Sequence, residues 1–208
     1  MINCLFFGDS ITYGEYDGIL GGWVDDLKRI FHKMYNNEQI EKVNIFNLGI
    51  GGENTNGLLG RMEIEISARL SPDKNFIFLS YGANDLVIHD NVEITTPQGF
   101  ENNICHAIRI ADKYADKIFL VKILPISSKI DGVISESGKL RTNERIVRYN
   151  DILQSISHAH KIELIDCHSL VLNHVEEYIS IDGIHPNDKG YKIISEKVET
   201  MLLRYVSP

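Results

Sequence analysis

Five short apolar runs alternate with longer amphipathic stretches along the chain. The runs are rich in Ile, Val, Leu and Phe and show no polar alternation, which is typical of strands buried on both faces. The predicted strands are 2–7, 43–47, 76–81, 118–124 and 162–166. Between them, apolar side chains recur at helical spacing and predict helices at about 22–37, 56–70, 99–116, 142–160 and 188–205.

This alternation predicts an α/β fold with a parallel sheet covered on both faces, because parallel strands need crossover connections. A chain of 208 residues accommodates one domain with a full core, and we expect a single domain over 1–208. The pattern leaves the strand order open. If that order is 2-1-3-4-5, the connections after the first and third strands diverge and open a crevice at the carboxyl ends of the strands.

Two connections between predicted elements are longer than usual, at 86–98 and 126–141. Long loops in compact domains are often binding elements, and a surface insertion explains each loop equally well when it is taken alone. The sequence leaves both interpretations open.

The charge of the chain narrows the range of partners. Its formal net charge is -8, and the basic residues are scattered singly among acidic ones. This distribution disfavours binding to nucleic acid or to an anionic membrane surface. No apolar run approaches the ~18 residues that a membrane-spanning helix needs. We therefore expect a small-molecule partner, without nucleic acid and without stable membrane association, while the oligomeric state stays open.

The cysteines and the first residues bear on location. Cys4, Cys105 and Cys167 are widely spaced and form no CxxC pair, so we expect buried, reduced thiols. Met1 leads directly into an apolar run without a basic region or a cleavage site, which favours a strand over a signal peptide. These features predict a cytoplasmic protein.

Ser10, which closely follows the first predicted strand, is a candidate nucleophile. A nucleophilic serine needs its Oγ exposed at a sharp turn, and the preceding Gly8 permits such a turn. A helical turn starting here would also offer free N–H groups to a developing negative charge. The alternative is that Asp9 and Ser10 only cap a helical turn.

Asp182 and His185 lie three residues apart, just before the last predicted helix. On a tight turn, Asp182 would accept a hydrogen bond from His185 Nδ1–H and leave Nε2 facing a nucleophile. The pair therefore predicts a general base with its orienting carboxylate. The alternative is a turn aspartate beside an unrelated histidine. No second histidine stands at metal-ligand spacing, so we expect no metal site.

Gly52 and Asn84 are candidate neutral donors after the second and third predicted strands. The Gly52 N–H, the Asn84 side-chain NH₂ and the Ser10 N–H would together bind a tetrahedral oxyanion. The glycine-rich segment is a poor phosphate cradle, since it matches neither common phosphate-loop pattern. Asn84 has an alternative role in an Asx-type turn. We expect Asp9 and Asp85 to support turns by accepting backbone N–H bonds.

Taken together, these segments resemble the SGNH-hydrolase, or GDSL-esterase, superfamily, and the resemblance runs from Gly8 to His185. It implies a three-layer α/β/α sandwich of flavodoxin-like form with a five-stranded parallel sheet. It also implies Ser10 as nucleophile, Asp182 and His185 as its partners, and Ser10, Gly52 and Asn84 as the oxyanion hole. Hydrolysis would run through an acyl-enzyme without metal or cofactor.

The function predicted from these residues is a serine esterase that cleaves small O-acyl esters. Within the same superfamily, the alternatives are a carbohydrate or peptidoglycan O-acetyl esterase, a thioesterase and a lysophospholipase. Outside enzymes, a flavin- or nucleotide-binding module of the same fold is a further alternative, as is an inactive relative that acts in protein interactions.

Overall fold

A parallel sheet forms the centre of the molecule, and the computed structural model describes residues 1–207. In chain order the strands are β1 (Ile2–Gly8), β2 (Val43–Gly49), β3 (Lys74–Ser80), β4 (Ile88–His89), β5 (Val92–Glu93), β6 (Lys117–Val121), β7 (Lys139–Leu140) and β8 (Glu163–Ile165). Strands β2-β1-β3-β6-β8 form the central sheet in that spatial order. Counted within this sheet, the order is 2-1-3-4-5, so the predicted doubly wound α/β fold is confirmed.

Helices cover both faces of the sheet and complete a three-layer α/β/α sandwich. They are α1 (Ser10–Tyr13), α2 (Trp23–Asn36), α3 (Thr55–Ser67), α4 (Pro97–Ala111), α5 (Asn143–His160), α6 (His168–Leu172), α7 (Val175–Tyr178) and α8 (Asp188–Leu202). Apolar side chains of α2 and α8 share one core with the sheet, and those of α3, α4 and α5 share the core on the opposite face. The five long predicted helices are all present.

Aromatic side chains fill the core beneath α2 and α8. The Phe78 ring stacks between Phe6, at a centroid distance of 4.1 Å, and Phe119, at 4.5 Å. Trp23 meets the edge of this stack, with its ring 5.2 Å from Phe6. The first residue of α2 is thereby anchored to the inner strand β1.

The fourth predicted strand, 118–124, is too long at its carboxyl end. Strand β6 ends at Val121 because its neighbour β8 ends at Ile165. Beyond this point the Ile123 N–H donates to the Asn150 side chain at 2.8 Å, so the backbone leaves the ladder. The sequence pattern shows only a continuous apolar run there and does not reveal this change of partner.

The two long connections meet in a second, three-stranded sheet that the pattern does not predict. Strand β4 pairs with β5 on one side and with β7 on the other, both antiparallel. Ile88 of the first connection thus lies opposite Leu140 of the second. The loops 86–98 and 126–141 are therefore joined to each other through backbone pairing.

The structure also bears on the expected burial of the cysteines and on the presence of membrane-spanning helices. Cys4 and Cys167 are buried, but Cys105 on α4 is only half-buried, so the expectation of three buried thiols is wrong at that position. Within residues 1–207, no helix has the length and apolar character required to cross a bilayer.

Candidate functional site

The chain turns sharply after β1, and this turn presents Ser10. A Cβ atom on Gly8 would lie 1.9 Å from Thr12 Oγ1, so only glycine fits at the end of the strand. Asp9 caps the single turn of α1 by accepting from the Ile11 N–H at 2.9 Å. These local constraints leave Ser10, the first residue of α1, partly exposed at the carboxyl edge of the sheet.

The candidate base reaches Ser10 from the loop between α7 and α8. His185 Nε2 lies 2.7 Å from Ser10 Oγ, although the two residues are 175 positions apart in the chain. On the other side of the ring, His185 Nδ1 lies 2.5 Å from Asp182 Oδ2. The structure thus brings the three predicted side chains into one hydrogen-bonded chain.

Asp182 is held by several donors at once. Its Oδ1 accepts from the Ser180 hydroxyl at 2.6 Å and from the backbone N–H groups of Ile184 and His185 at 2.9 and 3.0 Å. Partial burial works against the charged form, but the hydrogen bonds from His185, Ser180 and the backbone outweigh it and lower the pKa of Asp182. Asp182 is therefore a carboxylate at neutral pH and accepts from the Nδ1–H of His185.

The candidate oxyanion donors leave the sheet at the same level as Ser10. Gly8 of β1 pairs in register with Gly49 of β2 and with Ser80 of β3, and the segments with Gly52 and Asn84 follow those two strands. Gly52 has a φ of +75°, and a Cβ there would have no atom within 4 Å. The loop at Gly52 is consequently open on its outer side.

The amide of Asn84 is oriented by two neighbours. Its Nδ2 donates to the Glu53 carbonyl at 3.1 Å, and its Oδ1 accepts from Arg141 Nη2 at 3.3 Å. Since the NH₂ group carries two donors, one N–H remains for a ligand. Arg141 also donates to the Ala83 carbonyl at 3.3 Å and so links the loop 126–141 to this segment.

A partly buried ion pair supports the loop that carries Gly52. Arg61 on α3 pairs with Glu53 at 2.5 Å and donates to the Leu48 carbonyl at 2.7 Å. The Tyr81 hydroxyl donates to the same Glu53 carboxylate at 2.6 Å. The sequence pattern does not single out Glu53, Arg61 or Arg141, because their contacts join loops to distant elements and leave no periodic signal.

Asp9 and Asp85 lie beneath these groups and are both buried. Asp85 accepts from the Thr55 N–H at 3.1 Å and from its hydroxyl at 2.5 Å, which ties the segment after β3 to the first residue of α3. Burial raises the pKa of Asp85 even though these bonds oppose the shift. Burial likewise raises the pKa of Asp9 to about 6 against the hydrogen bond from Ile11.

An exposed aromatic ring borders the candidate base. The Tyr16 ring lies 5.2 Å from the His185 ring, centroid to centroid, with an interplanar angle of 81°. No motif in the sequence points to Tyr16, and only the folded chain places its ring beside His185. Within residues 1–207, no group of three or more His, Cys, Asp or Glu side chains is arranged to hold a metal ion.

This chain is similar to known proteins both in sequence and in three-dimensional structure. A lipase/acylhydrolase from Enterococcus faecalis has 25% sequence identity and a TM-score of 0.78, over 100% of this chain and 98% of its own. The spore germination lipase LipC of Bacillus licheniformis is 24% identical over 206 residues, 92% of each chain.

A third relative is much longer than this chain. An N-acylneuraminate cytidylyltransferase from Escherichia coli O18:K1:H7 is 25% identical over 180 residues, which are 84% of this chain and 40% of that protein. Its overall activity therefore gives no guide to this chain.

The model of the GDSL-like lipase/acylhydrolase family matches residues 6–193, nearly the whole chain. The protein thus belongs to the GDSL-like lipase/acylhydrolase family of hydrolases.

Proposed function

We propose that the protein is a serine esterase that cleaves small O-acyl esters through an acyl-enzyme on Ser10. The observation that carries the proposal is the unbroken chain from Ser10 Oγ to His185 Nε2, at 2.7 Å, and from His185 Nδ1 to Asp182 Oδ2, at 2.5 Å. Serine is a weak nucleophile at neutral pH and needs a base in direct contact to remove its proton.

In the first half-reaction, Ser10 Oγ attacks the carbonyl carbon while His185 Nε2 takes the hydroxyl proton. The Asp182 carboxylate accepts from Nδ1–H and stabilises the imidazolium that forms. The tetrahedral intermediate then loses its alcohol as the bond between the carbonyl carbon and the alcohol oxygen breaks. His185 gives its proton to that oxygen, and the acyl group stays on Ser10.

In the second half-reaction, water attacks the acyl-enzyme and gives one proton to His185. The bond from the acyl carbon to Ser10 Oγ breaks, His185 returns the proton to Oγ, and the acid leaves. Negative charge on the carbonyl oxygen arises in both halves. The proposed donors to it are the N–H groups of Ser10 and Gly52 and the free Asn84 N–H, each worth roughly 10²–10³ in rate.

The test is hydrolysis of p-nitrophenyl acetate, butyrate, octanoate and palmitate by the wild type, Ser10→Ala and Ser155→Ala. Ser155 is exposed on α5, so its substitution is a matched control. We expect Ser10→Ala to lower kcat by at least about 10³-fold and the control to match the wild type. The wild-type rate should fall from the acetate to the palmitate.

A second measurement tests Ser10 even if the enzyme accepts only a narrow range of natural esters and none of the p-nitrophenyl esters. A fluorophosphonate ester should add one phosphonyl group to wild-type Ser10, seen by mass spectrometry, and none to Ser10→Ala. Equal hydrolysis by the wild type and Ser10→Ala would overturn the proposal. A wild type that neither hydrolyses these esters nor takes the label on Ser10 would overturn it as well.

A further inference from the structure

Tyr16 combines contact with the candidate base and wide exposure. Its ring meets the His185 ring edge to face at 5.2 Å, which is within the range of favourable aromatic contacts. The residue nevertheless remains 63% exposed to solvent. A large part of an aromatic side chain is therefore free to contact a ligand directly beside the group that transfers protons.

The surrounding loop holds the backbone of Tyr16 in a conformation that tyrosine rarely adopts. Its φ of 66° lies in the left-handed region, which bulky residues rarely adopt. Its neighbours are fixed on both sides. The Glu15 carbonyl accepts from the Tyr191 hydroxyl at 2.7 Å, and the Gly18 N–H donates to Asp188 Oδ1 at 2.9 Å. The Asp17 carboxylate accepts from three further backbone N–H groups of the same loop, at Ile19, Leu20 and Gly22.

This loop thus joins the end of α1 to α8 and presents Tyr16 as a fixed surface. In the proposed mechanism, His185 Nε2 delivers its proton to the oxygen of the departing alcohol, so that oxygen must come within hydrogen-bond distance of Nε2. The groups attached to this oxygen then lie beside the residues that contact the His185 imidazole, and Tyr16 is one of these residues.

We infer that Tyr16 is a specificity-determining residue that forms one wall of the subsite for the alcohol part of the ester. The inference rests on the proposed function. A fixed aromatic ring favours a flat ring in the alcohol, such as an aryl group or the C–H face of a sugar, over an acyclic chain. The preferred substrates are therefore small acyl esters of ring-bearing alcohols.

The test holds the acyl group constant and varies the alcohol. Phenyl acetate and hexafluoroisopropyl acetate release alcohols of similar acidity, but only phenol carries a ring. Loss of one aromatic contact corresponds to a change of about two- to tenfold. We expect Tyr16→Ala to lower the ratio of kcat/KM for phenyl acetate over hexafluoroisopropyl acetate by this factor, mainly through KM. Tyr16→Phe should keep the wild-type ratio, because the ring acts and not the hydroxyl.

Two further variants separate this role from a structural one. Tyr16→Asn removes the ring but tolerates the left-handed backbone, so it should reproduce the ratio of Tyr16→Ala in a folded protein. Tyr35→Ala removes an exposed tyrosine near the end of α2 and should leave the ratio unchanged. If Tyr16→Ala affects the ring-bearing ester no more than its ring-free partner, both in this pair and in the sugar pair below, the inference is overturned, while hydrolysis by the wild type still supports the esterase.

A sugar ring and an aryl ring are distinguished by a second pair of substrates. Methyl 6-O-acetylglucopyranoside is compared with 2-methoxyethyl acetate, which carries no ring. A Tyr16→Ala effect confined to the acetylated sugar identifies a sugar alcohol, and an effect confined to phenyl acetate identifies an aryl alcohol. If the wild type hydrolyses none of the four esters, the inference fails, and the proposed function fails with it only if the fluorophosphonate also leaves Ser10 unlabelled.

Discussion

At the scale of single residues, two aspartates near Ser10 respond to their surroundings in opposite directions. Asp182 gains enough hydrogen bonds to lower its pKa despite partial burial. Asp9 is buried with one backbone donor, and burial raises its pKa from 3.8 to about 6. One carboxyl group is thus kept ionised beside His185, while the other resists ionisation beneath the Ser10 turn.

The first prediction concerns Asp182. In Asp182→Asn, the amide can still accept from the backbone at Ile184, but it no longer stabilises a positive His185 ring or fixes its tautomer. We expect kcat for p-nitrophenyl acetate to fall by about 10³–10⁴-fold with little change in KM. Asp73→Asn, at an exposed position, is the control and should be fully active. A loss smaller than threefold would argue against Asp182 as the partner of His185.

The second prediction concerns the pH dependence of stability at Asp9. Because the folded-state pKa is raised, the stabilising contribution of this group is complete below pH 3.8 and is lost as pH rises to about 6. Asp9→Asn mimics the protonated acid and lacks this loss. Between pH 4 and pH 7, the free energy of unfolding of Asp9→Asn should therefore rise relative to wild type by up to about 3 kcal/mol.

Urea denaturation of both proteins across this pH range measures the difference directly. Other carboxylates titrate in both proteins and cancel in the comparison. Parallel curves of unfolding free energy against pH would show that Asp9 ionises normally in the folded protein.

At the scale of elements, the loops 86–98 and 126–141 act through the small sheet that they form together. Ile88 on β4 pairs with Leu140 on β7, and the next residue along the chain is Arg141. The guanidinium of Arg141 reaches Asn84 from there. A two-residue strand thereby sets the direction of a candidate oxyanion donor.

The third prediction follows from this contact. Arg141→Gln should leave the Asn84 amide less firmly oriented and lower kcat by about tenfold, below the 10²–10³ expected for loss of the donor itself. In an Asn84→Ala background, the same substitution should change kcat by less than about twofold, since the group that Arg141 orients is gone. Lys139→Gln, at an exposed position on β7 two residues before Arg141, serves as the control. If Arg141→Gln lowers kcat by the same factor with and without Asn84, the two effects are independent, and Arg141 does not act by positioning Asn84.

The sequence predicts the large elements well and these small ones poorly. Strands buried on both faces show continuous apolar runs, and the long helices show a clear period, so the sheet and its five main helices are predictable. The pairing of Ile88 with Leu140 has no such signal, because it depends on two segments about 50 residues apart. The contacts of Tyr16 with His185 and of Arg141 with Asn84 likewise exist only once the chain has folded.

At the scale of the whole molecule, the stack of Phe6, Phe78 and Phe119 crosses β1, β3 and β6, the three inner strands of the sheet. All three rings are buried. Strand β1 also leads directly to Ser10, so the candidate site follows a strand that is held in this buried stack.

The fourth prediction tests this packing. Phe78→Ala should lower the free energy of unfolding by about 3–5 kcal/mol, because it removes the central ring of the stack and leaves a cavity. Phe78→Leu fills most of that space and should cost less, about 1–2 kcal/mol. Urea denaturation gives both values, with Val92→Ala at an exposed site as the control. Wild-type stability in Phe78→Ala would show that the stack contributes little.

The 175 positions between Ser10 and His185 have a consequence for synthesis of the protein. A ribosome that adds about 5–20 residues per second makes the nucleophile roughly 10–35 s before it makes the base. During that interval the emerging chain carries only an unactivated hydroxyl. The proposed activity therefore begins only after the segment with His185 has been made and has reached the end of strand β1.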